Sequence, residues 1–89
     1  VFKRFKFNRM QIPKNFYREI SIINALHNSK YIIKLNDIIL QNNIIGYTMK
    51  KYCGDLQNNI ANFTNADIKK ILFQLLCAIC YCHSNNIIH

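Results

Sequence analysis

Glycine, proline and acidic residues are all scarce in this sequence. Its 89 residues include two Gly, one Pro and four acidic side chains, and Glu19 is the only glutamate. Because Gly and Pro mark most sharp turns, we expect long regular elements. With 51% hydrophobic and 18% charged residues, the composition also excludes a disordered tail.

Long hydrophobic runs are absent as well. The most apolar stretch, Ile71 to Cys82, has 12 residues and contains Gln74, whereas a membrane-spanning helix needs ~20. No signal peptide is recognisable at the start of the sequence. The sequence therefore predicts a soluble protein of the cytoplasm or nucleus that has no membrane partner.

Positive charge is in excess, with 12 basic residues and a formal net charge of +8. Such a balance can indicate a nucleic-acid partner. The basic residues are dispersed, however, from Lys3 and Arg4 near the start to Lys69 and Lys70 far along the chain, and no Arg-rich run is present. We therefore predict no nucleic-acid partner, and a small basic nucleic-acid-binding module stays the less favoured alternative.

The four cysteines do not form a recognisable metal-binding pattern. Cys53, Cys77, Cys80 and Cys82 are not accompanied by the second Cys pair or the His pair that a zinc site requires. His83 follows Cys82 directly, but neighbouring helical residues point about 100° apart and chelate poorly together. We predict buried, reduced thiols and no metal site.

Hydrophobic periodicity predicts an α+β fold. Alternating residues favour a strand at the start, helical spacing favours two longer helices, and β-branched runs favour two antiparallel strands joined at Gln41-Asn42-Asn43, where Asn tolerates the positive φ of a tight turn. The predicted elements are strand Val1–Phe7, a connection over Asn8–Lys14, helix Asn15–His27, strands Ile32–Leu40 and Ile44–Met49, short helix Leu56–Asn62 and long helix Ala66–Ser84.

Local signals mark the starts of both longer helices. Asn15 can cap the first helix, and Thr64 with Asp67 resembles a capping box before the last one. The last helix then carries an apolar stripe at helical spacing, namely Ile68, Ile71, Leu72, Leu75, Leu76 and Ile79. Such a stripe should form the core of whatever packs on it.

Several sequence tracts are informative because of their order and spacing. They are Phe16-Tyr17-Arg18-Glu19-Ile20, Tyr31-Ile32-Ile33-Lys34-Leu35-Asn36-Asp37, Leu72-Phe73-Gln74-Leu75-Leu76, and Cys82-His83-Ser84 followed by Ile87-Ile88-His89. Together they resemble the protein kinases, and in particular the cyclin-dependent branch, over essentially the whole chain. The resemblance implies a partial protein-kinase-like fold and an ATP-dependent protein serine/threonine kinase.

The resemblance also implies a catalytic pair. Lys3 would be the strand lysine that holds the α- and β-phosphates of ATP, and Glu19 would be the helix glutamate that pairs with it. Arg4 stays open as a register alternative, because it is also basic and lies next to Lys3.

A nucleotide site follows from the same resemblance. Met49 would line the back of the adenine pocket, the backbone of Lys50 and Tyr52 would bond the adenine edge, and Asp55 would contact the ribose hydroxyls, for which two acceptor oxygens are suited. The alternative for Asp55 is a turn aspartate beside Gly54.

The segment Pro13–Glu19 resembles the cyclin-contacting helix of cyclin-dependent kinases, with altered middle residues and a slightly shorter preceding loop. The expected partners are therefore a protein substrate and a cyclin-like activator at this helix. Phe16 and Tyr17 are either apolar anchors for that activator or packing residues within the lobe, and both alternatives stay open.

The resemblance divides the chain into the end of the smaller lobe (1–49), the hinge (50–55) and the start of the larger lobe (56–89). On this register the Gly-rich loop would precede Val1, and the catalytic Asp, the magnesium ligands and the activation segment would follow His89. Mg²⁺ is thus expected in the parent protein with its ligands outside these residues, and the 89 residues alone are expected to be inactive. A pseudokinase or scaffold stays the main alternative, because the deciding motifs lie in that later part.

Overall fold

The computed structural model describes residues 1–6 and 11–89, which form a three-stranded antiparallel sheet and helices. The elements in chain order are β1 (Phe2–Phe5), α1 (Lys14–Ala25), β2 (Leu35–Gln41), β3 (Ile44–Met49), α2 (Leu56–Asn59), a 3₁₀ turn (Ile60–Asn62) and α3 (Asn65–Ser84). This order confirms the predicted α+β class. The predicted strand end at Phe7 and the connection over 8–10 lie outside the described residues.

The central strand of the sheet is β3, with β1 on one side and β2 on the other. The hairpin between β2 and β3 turns at Asn42, whose φ of 46° is the positive value that an Asn accepts readily. β2 begins at Leu35 rather than at the predicted Ile32. The reason lies in the partner strand: Leu35 pairs with Met49, where β3 ends, so Ile32 and Ile33 have no strand opposite them.

The predicted cap of α1 is wrong. The helix begins at Lys14 with Pro13 as its N-cap, and no side chain caps it. The ring of Pro13 fixes φ at −58°, close to the helical value, and its carbonyl accepts the first backbone hydrogen bonds of the helix, from Phe16 and Tyr17. Asn15 therefore lies inside the first turn instead of before it.

The buried apolar residues of the described chain all lie in α1, the turn after it, and β3. They are Phe16, Leu26, Ile45 and Tyr47. One face of the sheet, with Phe5, Ile45 and Tyr47, is covered by α1, because Phe5 contacts the ring of Phe16 edge-on at 5.3 Å between centroids and that of Tyr47 at 6.1 Å. This small aromatic core fixes α1 on the sheet.

Both ends of α3 are capped by its own sequence. Thr64 and Asp67 form the predicted capping box, in which each side chain accepts a hydrogen bond from the other residue's backbone N–H. At the other end Asn86 has a φ of 60°. The backbone N–H groups of Asn86 and Ile87 donate to the carbonyls of His83 and Cys82, which is the Schellman arrangement. The helix thus ends through local signals.

No residue of α3 is buried. Five of the six stripe residues are exposed, up to 57% at Leu76, and Ile71 is half-buried. The predicted burial of the cysteines is also wrong: on α3, Cys80 is exposed and Cys77 and Cys82 are only partly covered, and Cys53, which lies before α2, is exposed. No helix within residues 1–6 and 11–89 is long and apolar enough to cross a membrane.

Candidate functional site

The face of the sheet beneath α1 carries a lysine next to a tyrosine. Lys3 on β1 lies directly opposite Tyr47 on β3, so their side chains project from the same face of the sheet. The next pair, Arg4 opposite Gly46, projects from the other face because side chains alternate along a strand. Sheet register therefore separates Lys3 from its neighbour Arg4.

Glu19 on α1 meets both of these side chains. Its Oε1 atom lies 2.5 Å from Lys3 Nζ and 2.5 Å from Tyr47 Oη, which donates to it. The predicted orientation of Glu19, toward the strand that bears Lys3, is thus present. Of the two basic neighbours, Lys3 and not Arg4 forms the ion pair with Glu19.

Partial burial and short contacts shift the pKa values of Glu19 and Tyr47. Burial alone would raise the pKa of Glu19, but the hydrogen bonds from Lys3 and Tyr47 and the positive charge of Lys3 together lower it. Burial, followed by the bond to the Glu19 carboxylate, raises the pKa of Tyr47. Glu19 is therefore an anion, and Tyr47 a neutral donor, at physiological pH.

Tyr47 was missed by reasoning from the sequence. It lies in the apolar run of β3 and is only 2% exposed, and such a run predicts a strand without distinguishing one side chain from another. A signal existed nevertheless, because a tyrosine in a central strand must find a partner for its hydroxyl. Glu19 is one of only four acidic side chains in the sequence, and it lies on the predicted first helix.

The predicted nucleotide-contacting residues lie at the end of β3 and after it. Met49 is the last residue of β3, half-buried, and its backbone exchanges two hydrogen bonds of 2.9 Å with Val1. Lys50 and Tyr52 lie in an exposed segment without regular secondary structure. Within the described chain their backbone groups make no hydrogen bond, so those groups are available to a ligand.

Asp55 is the N-cap of α2. One carboxylate oxygen accepts the backbone N–H of Asn58 and the other accepts its side-chain amide, both at 2.8 Å. This is the turn role that the sequence left open beside a ribose contact. Each carboxylate oxygen keeps a second lone pair, so the cap is compatible with a further hydrogen-bond donor.

A cavity of about 960 Å³ lies between α1, β3 and the second half of α3. Glu19 and Tyr47 line one part of it, and Leu75 and Ile79 of the α3 stripe line another, as does His89. Glu19 and part of the apolar stripe therefore face a common space. In the part of the chain that the structure describes, no group of three or more His, Cys, Asp or Glu side chains could hold a metal ion.

Lys3 on a strand is ion-paired to Glu19 on the following helix, and their antiparallel sheet leads into an exposed segment without regular secondary structure. This is the arrangement of the smaller lobe in protein kinases. The protein kinase domain family matches residues 1–89. The chain belongs to this family, and the resemblance inferred from its tracts is confirmed.

The similar proteins include cyclin-dependent-kinase-like members. Cell division control protein 2 homolog 3 of Trypanosoma brucei brucei is 30% identical over 88% of this chain and 26% of its own length, and cyclin-dependent kinase 20 of Danio rerio is 27% identical over 88% of the chain and 24% of its own length. Calcium-dependent protein kinase 6 of Plasmodium berghei (strain Anka) is 44% identical over 65% of the chain and 4% of its own length. No solved structure matches the chain significantly.

The chain spans about a quarter of the length of the trypanosome and zebrafish relatives named above. Their remaining length has no counterpart among these 89 residues. The activity of a whole kinase and its partners are therefore matters of proposal for this chain.

Proposed function

We propose that this chain is part of an ATP-dependent protein serine/threonine kinase of cyclin-dependent-kinase-like type, which transfers the γ-phosphate of ATP to a hydroxyl of a protein substrate. The observation that carries the proposal is the ion pair between Lys3 and Glu19. A lysine ammonium needs a fixed position to hold phosphate oxygens, and a carboxylate at 2.5 Å on a packed helix supplies it.

Lys3 has the exposure that this role requires. Its side chain is 47% exposed while Glu19 is 31% exposed, so the ammonium can contact a ligand without leaving its partner. Lys3 would hold the α- and β-phosphates, and Glu19 would orient Lys3. Mg²⁺ would neutralise phosphate charge when bound, and its ligands are expected from the part of the relatives' length that this chain does not span.

The adenosine moiety would bind at the end of β3. Met49 would line the adenine pocket, the backbone groups of Lys50 and Tyr52 would bond the adenine edge, and Asp55 would add a ribose contact to its capping role. This assignment makes residues 1–49 the smaller-lobe part, 50–55 the hinge and 56–89 the start of the larger lobe, in a protein of the cytoplasm or nucleus.

The activator would contact α1. Of the two aromatic residues there, Phe16 packs in the core, whereas Tyr17 is 57% exposed. Tyr17 is therefore the anchor that remains for a cyclin-like partner. The names of the trypanosome and zebrafish relatives place them among cell-division and cyclin-dependent kinases, which favours that class of partner.

The test is phosphate transfer by the full-length protein. Transfer of label from γ-labelled ATP to a general protein substrate should fall about 100-fold in Lys3→Met, as for loss of a charge-stabilising group at a phosphoryl centre. Lys6→Met is the matched control, because Lys6 is an exposed lysine just beyond the same strand. A wild-type protein that binds ATP but transfers no phosphate would instead identify a pseudokinase.

A further inference from the structure

The Glu19 carboxylate is held from two strands at once. Lys3 reaches Oε1 from β1, at the edge of the sheet, and Tyr47 reaches the same atom from β3, at its centre. Both contacts measure 2.5 Å. Tyr47 therefore joins the ion pair of Lys3 and Glu19, and the proposed phosphate-binding role gives Tyr47 no task.

The two donors differ in how firmly they are fixed. Lys3 is a long side chain that is 47% exposed, and ordering such a side chain costs up to about 2 kcal/mol of rotamer entropy. Tyr47 is 2% exposed, has only two side-chain torsions, and its ring contacts that of Phe5. Tyr47 is therefore the rigid donor of the pair, and Lys3 is the adaptable one.

We propose that Tyr47 is a positioning residue for the kinase reaction: its hydroxyl anchors Glu19 to the central strand, so that α1 keeps Glu19 beside Lys3 while Lys3 engages phosphate. This inference rests on the proposed function. It adds that the position of α1 in which Glu19 contacts Lys3 is stabilised by the central strand of the sheet, and so depends less on an external activator.

The chemistry of the hydroxyl is suited to this role. A phenol donates to a carboxylate only while it keeps its proton. Tyrosine is ordinarily neutral at physiological pH, and the raised pKa of Tyr47 favours the neutral form further. Hydrogen bonds to charged groups stabilise more than neutral ones. Removal of the hydroxyl leaves the ring, and with it the contacts to Phe5, in place.

The test compares ATP with adenosine as ligands of the full-length protein. Tyr47→Phe should weaken ATP binding about 10-fold, the loss of one hydrogen bond to a charged group, and should leave adenosine binding unchanged, because adenosine has no phosphates for Lys3. Tyr81→Phe is the matched control, since it deletes the same atom from a half-buried tyrosine on α3. Equal losses for ATP and adenosine, or a melting temperature lowered far below that of Tyr81→Phe, would assign Tyr47 a structural role only and overturn the inference.

A double-mutant cycle tests whether Tyr47 acts through Glu19. In the Glu19→Gln background, Tyr47→Phe should weaken ATP binding by less than about 2-fold, because the charged acceptor is already gone. An additive loss, close to the 10-fold effect seen in the wild type, would contradict the proposed route.

Carboxyl titration separates this inference from the proposed function. In nucleotide-free protein labelled with carbon-13 at glutamate side chains, with the Glu19 signal assigned by its loss in Glu19→Gln, Tyr47→Phe should raise the pKa of Glu19, and an unchanged pKa would overturn the inference. Wild-type protein that binds no ATP would remove the proposed function and the positioning role together, even where the titration establishes the contact.

Discussion

The α1–sheet region and helix α3 are both rich in apolar residues but differ in what covers them. The α1–sheet region buries Phe16, Leu26, Ile45 and Tyr47 among its own elements. α3 has a regular stripe and well-formed caps, but none of its residues is buried. Local signals are therefore enough to form a helix, but the stabilisation of an amphipathic helix comes from packing, and no element within residues 1–6 and 11–89 buries the stripe of α3.

The largest expected effect concerns the α3 stripe. We expect the isolated 89-residue chain to self-associate, because the exposed stripe residues forfeit roughly 1.5–3 kcal/mol each when left in water. The double substitution Leu72→Gln and Leu76→Gln should reduce that association. In the full-length protein the same change should instead cost about 2–5 kcal/mol per site. Sedimentation velocity and thermal melting of both lengths measure these effects.

The same experiment can contradict the expected self-association through the α3 stripe. Lys69→Gln with Lys70→Gln changes the same number of residues on the same helix, and it should leave both lengths nearly unaffected. A wild-type 89-residue chain that sediments as a monomer and melts cooperatively would show that the stripe needs no external cover.

The second effect concerns the aromatic core of the α1–sheet region. Phe16→Ala should destabilise the full-length protein by about 3–5 kcal/mol, the usual cost of emptying a buried aromatic position. Tyr17→Ala, one residue along the same helix and 57% exposed, should cost less than about 1 kcal/mol. Chemical denaturation of the two variants gives both values, and equal losses would mean that α1 is not fixed through Phe16.

How far the sequence predicted this fold depends on how local each signal is. The capping box at Thr64 and Asp67 and the turn at Asn42 were predictable, because each depends on residues close together in the chain. The start of β2 was not, since it is set by where the partner strand ends at Met49. Strand length is a property of the sheet rather than of one segment.

The candidate site divides in the same way. The approach of Lys3 to Glu19 was predictable only through resemblance to kinases, because a strand lysine and a helix glutamate are by themselves ordinary surface residues. In the sheet, Lys3 lies opposite Tyr47 and therefore projects from the face that α1 covers, whereas Arg4 projects from the other face. The prediction of buried cysteines was wrong. It rested on the general tendency of free cysteines to be buried, but no residue of α3, which carries three of them, is buried.

The third effect tests how closely β1 packs on the central strand. A Cβ at Gly46 would lie 2.2 Å from the carbonyl oxygen of Lys3, a backbone atom that cannot move without displacing β1. Gly46→Ala should therefore cost about 1–3 kcal/mol and also weaken ATP binding, because Lys3 moves with its strand.

Gly54→Ala is the matched control for this substitution. Its Cβ would meet only the end of the Asn59 side chain, at 2.7 Å, and that side chain can rotate away. Comparable losses in stability and ATP affinity for the two variants would contradict the close approach of β1 at Gly46.

The smallest expected effect is the pH dependence of the link between α1 and the sheet. The pKa of Glu19 is lowered in the folded protein from its ordinary value of 4.5. The charged contacts of Glu19 thus contribute their full stability above about pH 4.5, and this contribution is lost as the pH falls through the lower folded-state pKa.

Wild type should melt at a higher temperature than Glu19→Gln at neutral pH, and this difference should shrink on acidification, since a protonated Glu19 resembles Gln. The contribution is modest because Lys3 and Glu19 are partly exposed and solvent screens the pair. Melting temperatures of both proteins from pH 3 to 7 measure the difference. A gap that stays constant over this range would show that the carboxylate charge does not help to hold α1 on the sheet.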